Sequence, residues 1–191
     1  MQVQDQNKRR QILAAASRLF ASTPFHRVRL DDVAAAAHVG KGTLYVYFRG
    51  KDELYLSLVR EGFAALIERL EAQAGDSRPA RAKLRQIVFA LVEFGRRHPH
   101  MAQMIRTAAL PTNRGPWLAQ RRQLARIIQH TIRQGVRSGE LSDPHPELTA
   151  LYVPGMVRAA MLFGPPRLSR RVLAAHLTRT IERALTRSPK P

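Results

Sequence analysis

The chain has 191 residues, 45 % of them apolar, and a formal net charge of +18. This length is enough to bury a hydrophobic core in one large domain or in two smaller ones. Cysteine is absent, which excludes disulfides, thiol catalysis and cysteine-based zinc sites. No apolar run approaches the roughly 18 residues that span a bilayer, and the polar N-terminus lacks the apolar core of a secretory signal. We therefore expect a cytoplasmic protein without a membrane partner.

Most of the positive charge lies outside the first quarter of the chain. Residues 1–53 contain nine Lys/Arg and five Asp/Glu, a net charge of +4, whereas residues 54–191 contain 23 and nine, a net charge of +14. Basic proteins attract nucleic-acid phosphates regardless of base sequence. A charge run is more often a solvated surface, so a prediction of DNA binding has to rest on particular residues.

Apolar residues recur at helical spacing along nearly the whole chain, and no strand alternation or internal repeat interrupts them. This pattern predicts an all-α protein of about nine helices, three small ones followed by six larger ones. Gly and Pro residues separate the helices. The predicted helices cover about 8–21, 30–37, 41–47, 51–70, 80–97, a brief one ending near 109, 117–137, 146–163 and 168–186.

The two short helices predict a helix-turn-helix, whose second helix enters the DNA major groove. Val33, Ala34 and Ala37 keep the first helix slim, so that the second can cross it closely. Gly42 inside a seven-residue helix costs about 1 kcal/mol of helix propensity. Close approach of the backbone to DNA would offset this cost.

Several polar residues of the second helix are suited to nucleic acid. Lys41 can reach a guanine edge or a phosphate, and Thr43 can meet a base, a thymine methyl group or a phosphate. The hydroxyls of Tyr45 and Tyr47 suit phosphate oxygens, although either ring is also compatible with a core position. Lys51 adds positive charge beside a helix N-terminus, which itself favours anions.

These residues resemble the DNA-binding region of the tetracycline-repressor (TetR) family of bacterial transcriptional regulators. The resemblance covers about a quarter of the chain, and the remainder is similar only in length and helical content. The matching elements, in order, are Ile12-Leu13-x-Ala15-Ala16-x-x-Leu19-Phe20, Asp32-Val33-Ala34, Val39-x-Lys41-Gly42-Thr43-Leu44-Tyr45-x-Tyr47-Phe48 and Lys51-x-x-Leu54.

The resemblance implies a homodimeric repressor that a small effector releases from a palindromic operator of double-stranded DNA. It implies a helix-turn-helix DNA-binding domain in residues 1–53 and a helical effector-binding and dimerisation domain in residues 54–191. The two recognition helices of such a dimer should lie roughly 34–36 Å apart to reach successive major grooves. The family's base contacts fall on Lys41, Gly42 and Thr43, and its phosphate contacts on Tyr45, Tyr47 and Lys51.

The chain departs from the family pattern at the turn and ahead of it. His38 stands where the family often has Gly, and His tolerates a positive φ better than most residues with a side chain. Arg29 stands where the family often has Thr, which would turn a hydroxyl–phosphate contact into an ionic one. Arg29 therefore joins the expected DNA contacts.

The last two predicted helices carry apolar stripes that are too wide for a single seam. Two such helices can meet their copies in a four-helix interface of twofold symmetry, and the alternative is an ordinary intramolecular core. The expected interface residues are Met156, Ala160, Phe163, Leu173, Leu177, Ile181 and Ala184.

An effector pocket is expected among the central helices. Its chemistry is not fixed by the sequence, although Arg106 is a candidate anchor for an anion and a Met-rich lining would suit a bulky apolar ligand. Each candidate is equally compatible with an ordinary core. The candidate lining residues are Phe89, Met101, Met104, Ile105, Arg106, Trp117 and Tyr152.

No motif favours an enzyme, a cofactor or a metal. His98-Pro99-His100 lacks an obvious third ligand, no serine lies in a nucleophile-elbow setting, and no Gly-rich loop can hold a phosphate. The competing interpretation is an architectural or nonspecific nucleic-acid-binding protein without an effector. A repressor should prefer its palindrome to random duplex by about 10³-fold or more at physiological salt.

Overall fold

The computed structural model describes residues 2–98, 100, 115–165 and 167–186, and all regular structure within these ranges is helical. The all-α prediction is confirmed. The brief helix expected to end near residue 109 lies, apart from His98 and His100, outside the described residues. The described elements are α1 (Gln2–Ser22), a 3₁₀ turn (Phe25–Arg27), α2 (Leu30–Ala36), α3 (Lys41–Tyr47), α4 (Lys51–Ala74), α5 (Ala80–Arg97), α6 (Gly115–Arg137), α7 (Pro146–Phe163) and α8 (Arg170–Ala184).

The chain forms two compact units, residues 1–62 and residues 63–191. The division falls within α4, nine residues after the boundary that the sequence suggested. The difference arises because the first turns of α4 belong to the core of the first unit. Leu54 is fully buried there, and Leu58 packs against the same cluster.

The core of the first unit joins α1, α2, α3 and the start of α4. Ile12, Val33, Leu44, Phe48 and Leu54 are at most 1 % exposed and form its centre. Leu44 in α3 and Phe48 directly after it, four residues apart, both face inward. Burying them fixes which side of α3 remains in solvent.

The turn between α2 and α3 is closed by two backbone hydrogen bonds. The N–H of His38 donates to the carbonyl of Ala35 at 3.1 Å, and the N–H of Val39 donates to the carbonyl of Ala34 at 3.0 Å. This is the Schellman arrangement, which needs a left-handed residue directly after the helix. His38 is that residue, with φ of 54°.

The second unit is built around α5, which contacts α6, α7 and α8. The stripe predicted on α5 is buried as expected, at Leu84, Ile87, Val88, Leu91 and Phe94. Among the described helices, none is long and apolar enough to cross a membrane.

The strained turn gives a first prediction, on stability. Replacing His38 by Gly removes the left-handed penalty of a residue with a side chain, which is roughly 1 kcal/mol. We expect His38→Gly to raise the melting temperature by about 2–4 °C in thermal denaturation.

Gly139, the one described glycine with a positive φ (77°), provides the reverse control. Gly139→Ala should lower the melting temperature. An unchanged melting temperature for His38→Gly would show that the turn stores no strain.

Candidate DNA interface and ligand cavity

The outward face of α3 carries the residues suited to DNA. Tyr45 is 46 % exposed and Val46 is 80 % exposed, while Lys41 and Gly42 are also exposed. Thr43 is half-buried. The helix therefore presents to solvent an unbroken surface made of a cation, a bare backbone segment, a phenol and an apolar side chain.

Val46 was not predicted as a site residue, yet it is the most exposed of the large apolar side chains in the described residues. It follows Gly42 by four positions, so both lie on the same side of α3. An exposed apolar residue beside a polar recognition surface suits the methyl group of thymine. The helical period alone, applied from Gly42, would have found it.

Gly42 has no intramolecular reason to be glycine. A Cβ added at this position would meet no heavy atom within 4 Å, so neighbouring helices do not demand the small residue. The helix-propensity cost of about 1 kcal/mol therefore has no compensation inside the described residues. We infer that the cost is offset when an external molecule approaches the backbone of α3 closely at Gly42.

Asp31 lies close to two cationic side chains, Lys41 at the start of α3 and Arg29 ahead of α2. The Lys41 Nζ lies 2.9 Å from one Asp31 carboxylate oxygen, and the Arg29 guanidinium lies 4.0 Å from the other. The hydrogen bond and the charge of Asp31 raise the pKa of Lys41. Both cations are well exposed, so a phosphate can replace the carboxylate without a large desolvation cost.

Tyr45 and Tyr47 differ in their surroundings. Tyr45 is exposed, whereas Tyr47 is half-buried and packs against the core of the first unit. The Tyr47 ring centroid lies 6.5 Å from that of Phe48. Tyr47 therefore contributes its ring to the core. Tyr45 is more exposed and is the more accessible of the two for a phosphate contact.

Lys51, which was expected to contact a phosphate, has partners within the first unit. Its ammonium donates hydrogen bonds to the carbonyls of Phe25, Val28 and His26 at 2.9, 3.0 and 3.3 Å. It also lies 4.7 Å from the centroid of the Phe25 ring. Three carbonyl acceptors satisfy all three ammonium donors. Lys51 thus fastens the start of α4 to the segment that precedes α2.

The second unit contains a cavity of about 420 Å³ between the middle of α4, at Phe63, and the helices α5, α6 and α7. Most of its lining is apolar. The polar lining residues are His98, Arg121, Arg122 and Arg158. A site of this volume with few polar groups is typical of pockets for small molecules.

Only part of the expected pocket lining can be compared with this cavity. Trp117 lies on its wall. Phe89 and Tyr152 do not, because both point to solvent: Phe89 is 39 % exposed with the Arg170 guanidinium 5.6 Å from its ring centroid, and Tyr152 is 58 % exposed. The other candidates, Met101, Met104, Ile105 and Arg106, lie outside the described residues.

His98 contributes a neutral ring to the cavity wall. Burial, together with the charge of Arg97, lowers the pKa of His98 to about 4. The ring packs 4.6 Å from that of Phe94, measured between centroids. Among the described residues no group of three side chains is arranged to hold a metal ion.

The residues expected at a dimer interface divide into three groups by exposure. Leu177 and Ile181 are only 6 % and 3 % exposed, because α8 packs them into the core of its own unit, and we correct their assignment to an intermolecular surface. Phe163 is 76 % exposed and Ala184 is exposed. The half-buried members are Met156, Ala160 and Leu173.

A helix-turn-helix with an exposed recognition face, followed by a larger helical unit, is the architecture of a DNA-binding regulator. Comparison with known families agrees. The model of bacterial regulatory proteins of the tetR family matches residues 12–58. The model of the tetracyclin repressor-like C-terminal domain matches residues 77–162. The chain belongs to the TetR family of DNA-binding transcriptional regulators, which are not enzymes.

Individual relatives agree with this assignment. The uncharacterized HTH-type transcriptional regulator YhgD of Bacillus subtilis is 29 % identical over 154 residues, which cover 77 % of this chain and 78 % of YhgD. The fold is similar to that of a TetR/AcrR-family regulator of Thermobifida fusca (TM-score 0.77, 22 % identity, 95 % of this chain and 100 % of that one). It is also similar to FadR of B. subtilis in complex with stearoyl-CoA (TM-score 0.67, 20 % identity, 90 % and 96 %).

Gly42 gives a prediction that separates stability from binding. Gly42→Ala should raise the free energy of unfolding by up to about 1 kcal/mol, because alanine is the better helix former. The same methyl group should weaken DNA binding about tenfold or more, because it would stand between the backbone and the DNA. Thermal denaturation and fluorescence anisotropy with labelled duplex measure the two effects.

Gly75 is the matched control, since a Cβ there also meets no heavy atom within 4 Å. Gly75→Ala should leave DNA affinity unchanged. If Gly42→Ala bound DNA as well as the unaltered protein, the close approach of DNA to α3 would be refuted.

The contacts of Lys51 predict a structural role that can be measured without DNA. Lys51→Met should lower the free energy of unfolding by about 2 kcal/mol, because carbonyl acceptors lose a charged donor. Urea denaturation of the free protein measures this change, and Lys8→Met, at an exposed lysine of α1, should have no effect. Equal stability of the two variants would show that the contacts of Lys51 within the chain do not stabilise the free protein.

Proposed function

We propose that this protein is a homodimeric repressor that binds a palindromic operator through α3 and leaves it when a small molecule occupies the cavity of the second unit. The observation that carries the proposal is the outward face of α3. There, Gly42 leaves the backbone bare and Val46 is an exposed apolar residue. Neither feature stabilises the free protein, and both suit a base edge in the major groove.

The roles on DNA follow from exposure and chemistry. Lys41 and Arg29 exchange the Asp31 carboxylate for phosphates or, in the case of Lys41, for a guanine edge. Tyr45 donates its hydroxyl to a phosphate, and Tyr47 does so while keeping its ring against the core. Thr43, Gly42 and Val46 face the bases.

Dimer formation is supported by apolar side chains exposed on α7 and α8, which pack against one another. Leu151, Tyr152 and Val172 are each more than 50 % exposed, and Phe163 is 76 % exposed. Large apolar side chains exposed on two helices that pack together are expected at an interaction site. A twofold axis makes the same surface serve both copies, and it gives the two recognition helices the symmetry of a palindrome.

Release by a ligand is supported by the cavity of the second unit, because its volume of about 420 Å³ and its mainly apolar lining suit a small molecule. The similarity to FadR in its complex with stearoyl-CoA points in the same direction. A ligand that binds only one of two conformations shifts the population towards it. In this proposal the ligand-bound conformation has the lower affinity for the operator.

The test is selection of bound sequences from a random duplex library. We expect a palindrome whose half-sites lie about 10 bp or a multiple of it apart, bound by two chains and preferred over random duplex by about 10³-fold or more. Analytical ultracentrifugation gives the stoichiometry. Equal affinity for selected and random duplex would refute the repressor and favour an architectural protein.

The proposed interface has its own variants in this test. Phe163→Glu should give monomers that no longer bind the palindrome, because two like charges would face each other across the twofold axis. Val136→Glu, at a 38 % exposed apolar residue of α6, is the control and should remain dimeric.

A further inference from the structure

We infer that the cavity of the second unit binds an amphipathic anion, an apolar chain of about a dozen carbon atoms that ends in an anionic head group. The inference names the class of effector and, where it concerns regulation, rests on the function proposed above. It depends on three properties of the cavity: its size, its apolar walls and its uncompensated positive charge.

The size sets the length of the ligand. A volume of about 420 Å³ holds about fourteen groups of the size of a water molecule, at roughly 30 Å³ each. A methylene group occupies a similar space. A saturated chain of about twelve carbons therefore fills the cavity and leaves room for a head group at its mouth.

The walls are apolar over most of their area. Aliphatic and aromatic side chains dominate the lining, among them Phe63, Leu91, Phe94 and Trp117. Such walls offer few partners for the hydroxyls of a sugar or for the edges of a nucleobase, and buried polar groups without partners are costly. The body of the ligand is therefore a hydrocarbon.

Three arginines give the cavity its charge. Arg121 and Arg122 of α6 and Arg158 of α7 line it, and no acidic residue is among its described lining residues. None of the three forms an ion pair within the described ranges of the chain. The segments that are not described beyond residue 98 contain no Asp or Glu in their sequence.

Three acids of the second unit pair with other arginines. Glu93 lies between Arg97 and Arg170, Glu182 faces Arg85, and Asp76 faces Arg78. None of these ion pairs includes a cavity arginine. Guanidinium groups bind carboxylate and phosphate in a bidentate manner, whereas they repel a cationic head group.

The single tryptophan of the chain makes the test direct. Trp117 lies on the cavity wall, so its fluorescence reports whether the cavity is filled. The full-length protein is titrated with dodecanoate below its micelle concentration, and with dodecanol and dodecyltrimethylammonium as neutral and cationic probes. We expect dodecanoate to bind at least tenfold more tightly than dodecanol, and the cation to leave the fluorescence unchanged.

Chain length and charge are then varied separately. Decanoate and octanoate should each bind about tenfold more weakly than the acid two carbons longer, because two methylenes are lost from the apolar walls. The triple variant Arg121→Gln, Arg122→Gln, Arg158→Gln should bind dodecanoate and dodecanol equally. Arg133→Gln, at an exposed arginine of α6 that does not line the cavity, is the matched control and should keep the preference.

Two further arms identify the source of the head group and guard against misfolding. Dodecanoyl-CoA is compared with free dodecanoate, since the carboxylate and the coenzyme phosphates are alternative anions on the same chain. Ala125→Phe fills the cavity and should abolish binding of both probes. Far-ultraviolet circular dichroism shows whether each variant is folded.

The results separate this inference from the proposed function. Equal binding of dodecanoate and dodecanol, or a preference that survives the triple variant, overturns the inference. Release of DNA by a neutral or cationic compound that competes for the cavity at Trp117 also overturns the inference. That result would still support the proposal that a ligand releases the protein from DNA. Arginine-dependent binding of dodecanoate without loss of DNA affinity supports the inference and refutes ligand release.

Discussion

The burial of Leu44 and Phe48 is the constraint on which the DNA-binding surface depends. Both side chains are at most 1 % exposed, and they lie four residues apart, so they commit one side of α3 to the core. The opposite side then has to face solvent. The left-handed residue His38 makes this possible, because it reverses the chain between α2 and α3 within one turn. Packing and turn geometry together present Gly42 and Val46 outward.

A different kind of constraint shapes the second unit, where apolar helices surround a cavity. Leu84 and Val88 of α5 lie in a closely packed core, whereas the end of the same helix at Phe94 and His98 borders the cavity. Part of the chain's excess positive charge lies at this cavity, where arginines line apolar walls without carboxylate partners among the described residues. In the first unit, by contrast, Asp31 balances the cations near α3.

Sequence patterns predicted residue types better than they predicted partners. Lys41 and Lys51 are each the first residue of a helix, and both looked suited to phosphate. Lys41 is exposed and donates a hydrogen bond to the Asp31 carboxylate. Lys51, in contrast, donates hydrogen bonds to three backbone carbonyls. The acceptors of Lys51 lie 23 to 26 residues earlier in the chain. Local spacing contains no information about an acceptor at that separation, so only the folded chain distinguishes the two lysines.

The sequence by itself determined the helices and their inward faces. The predicted bounds of α3, α5 and α7 agree with the structure because Gly and Pro breakers and a 3.6-residue period act locally. Tertiary structure decided what depends on the choice of neighbouring helices: the inward packing of Leu177 and Ile181, the outward position of Tyr152, and the meeting of arginines from α6 and α7 at one cavity. A wide apolar stripe predicts burial, but it does not specify whether the buried contact lies within one chain or between two.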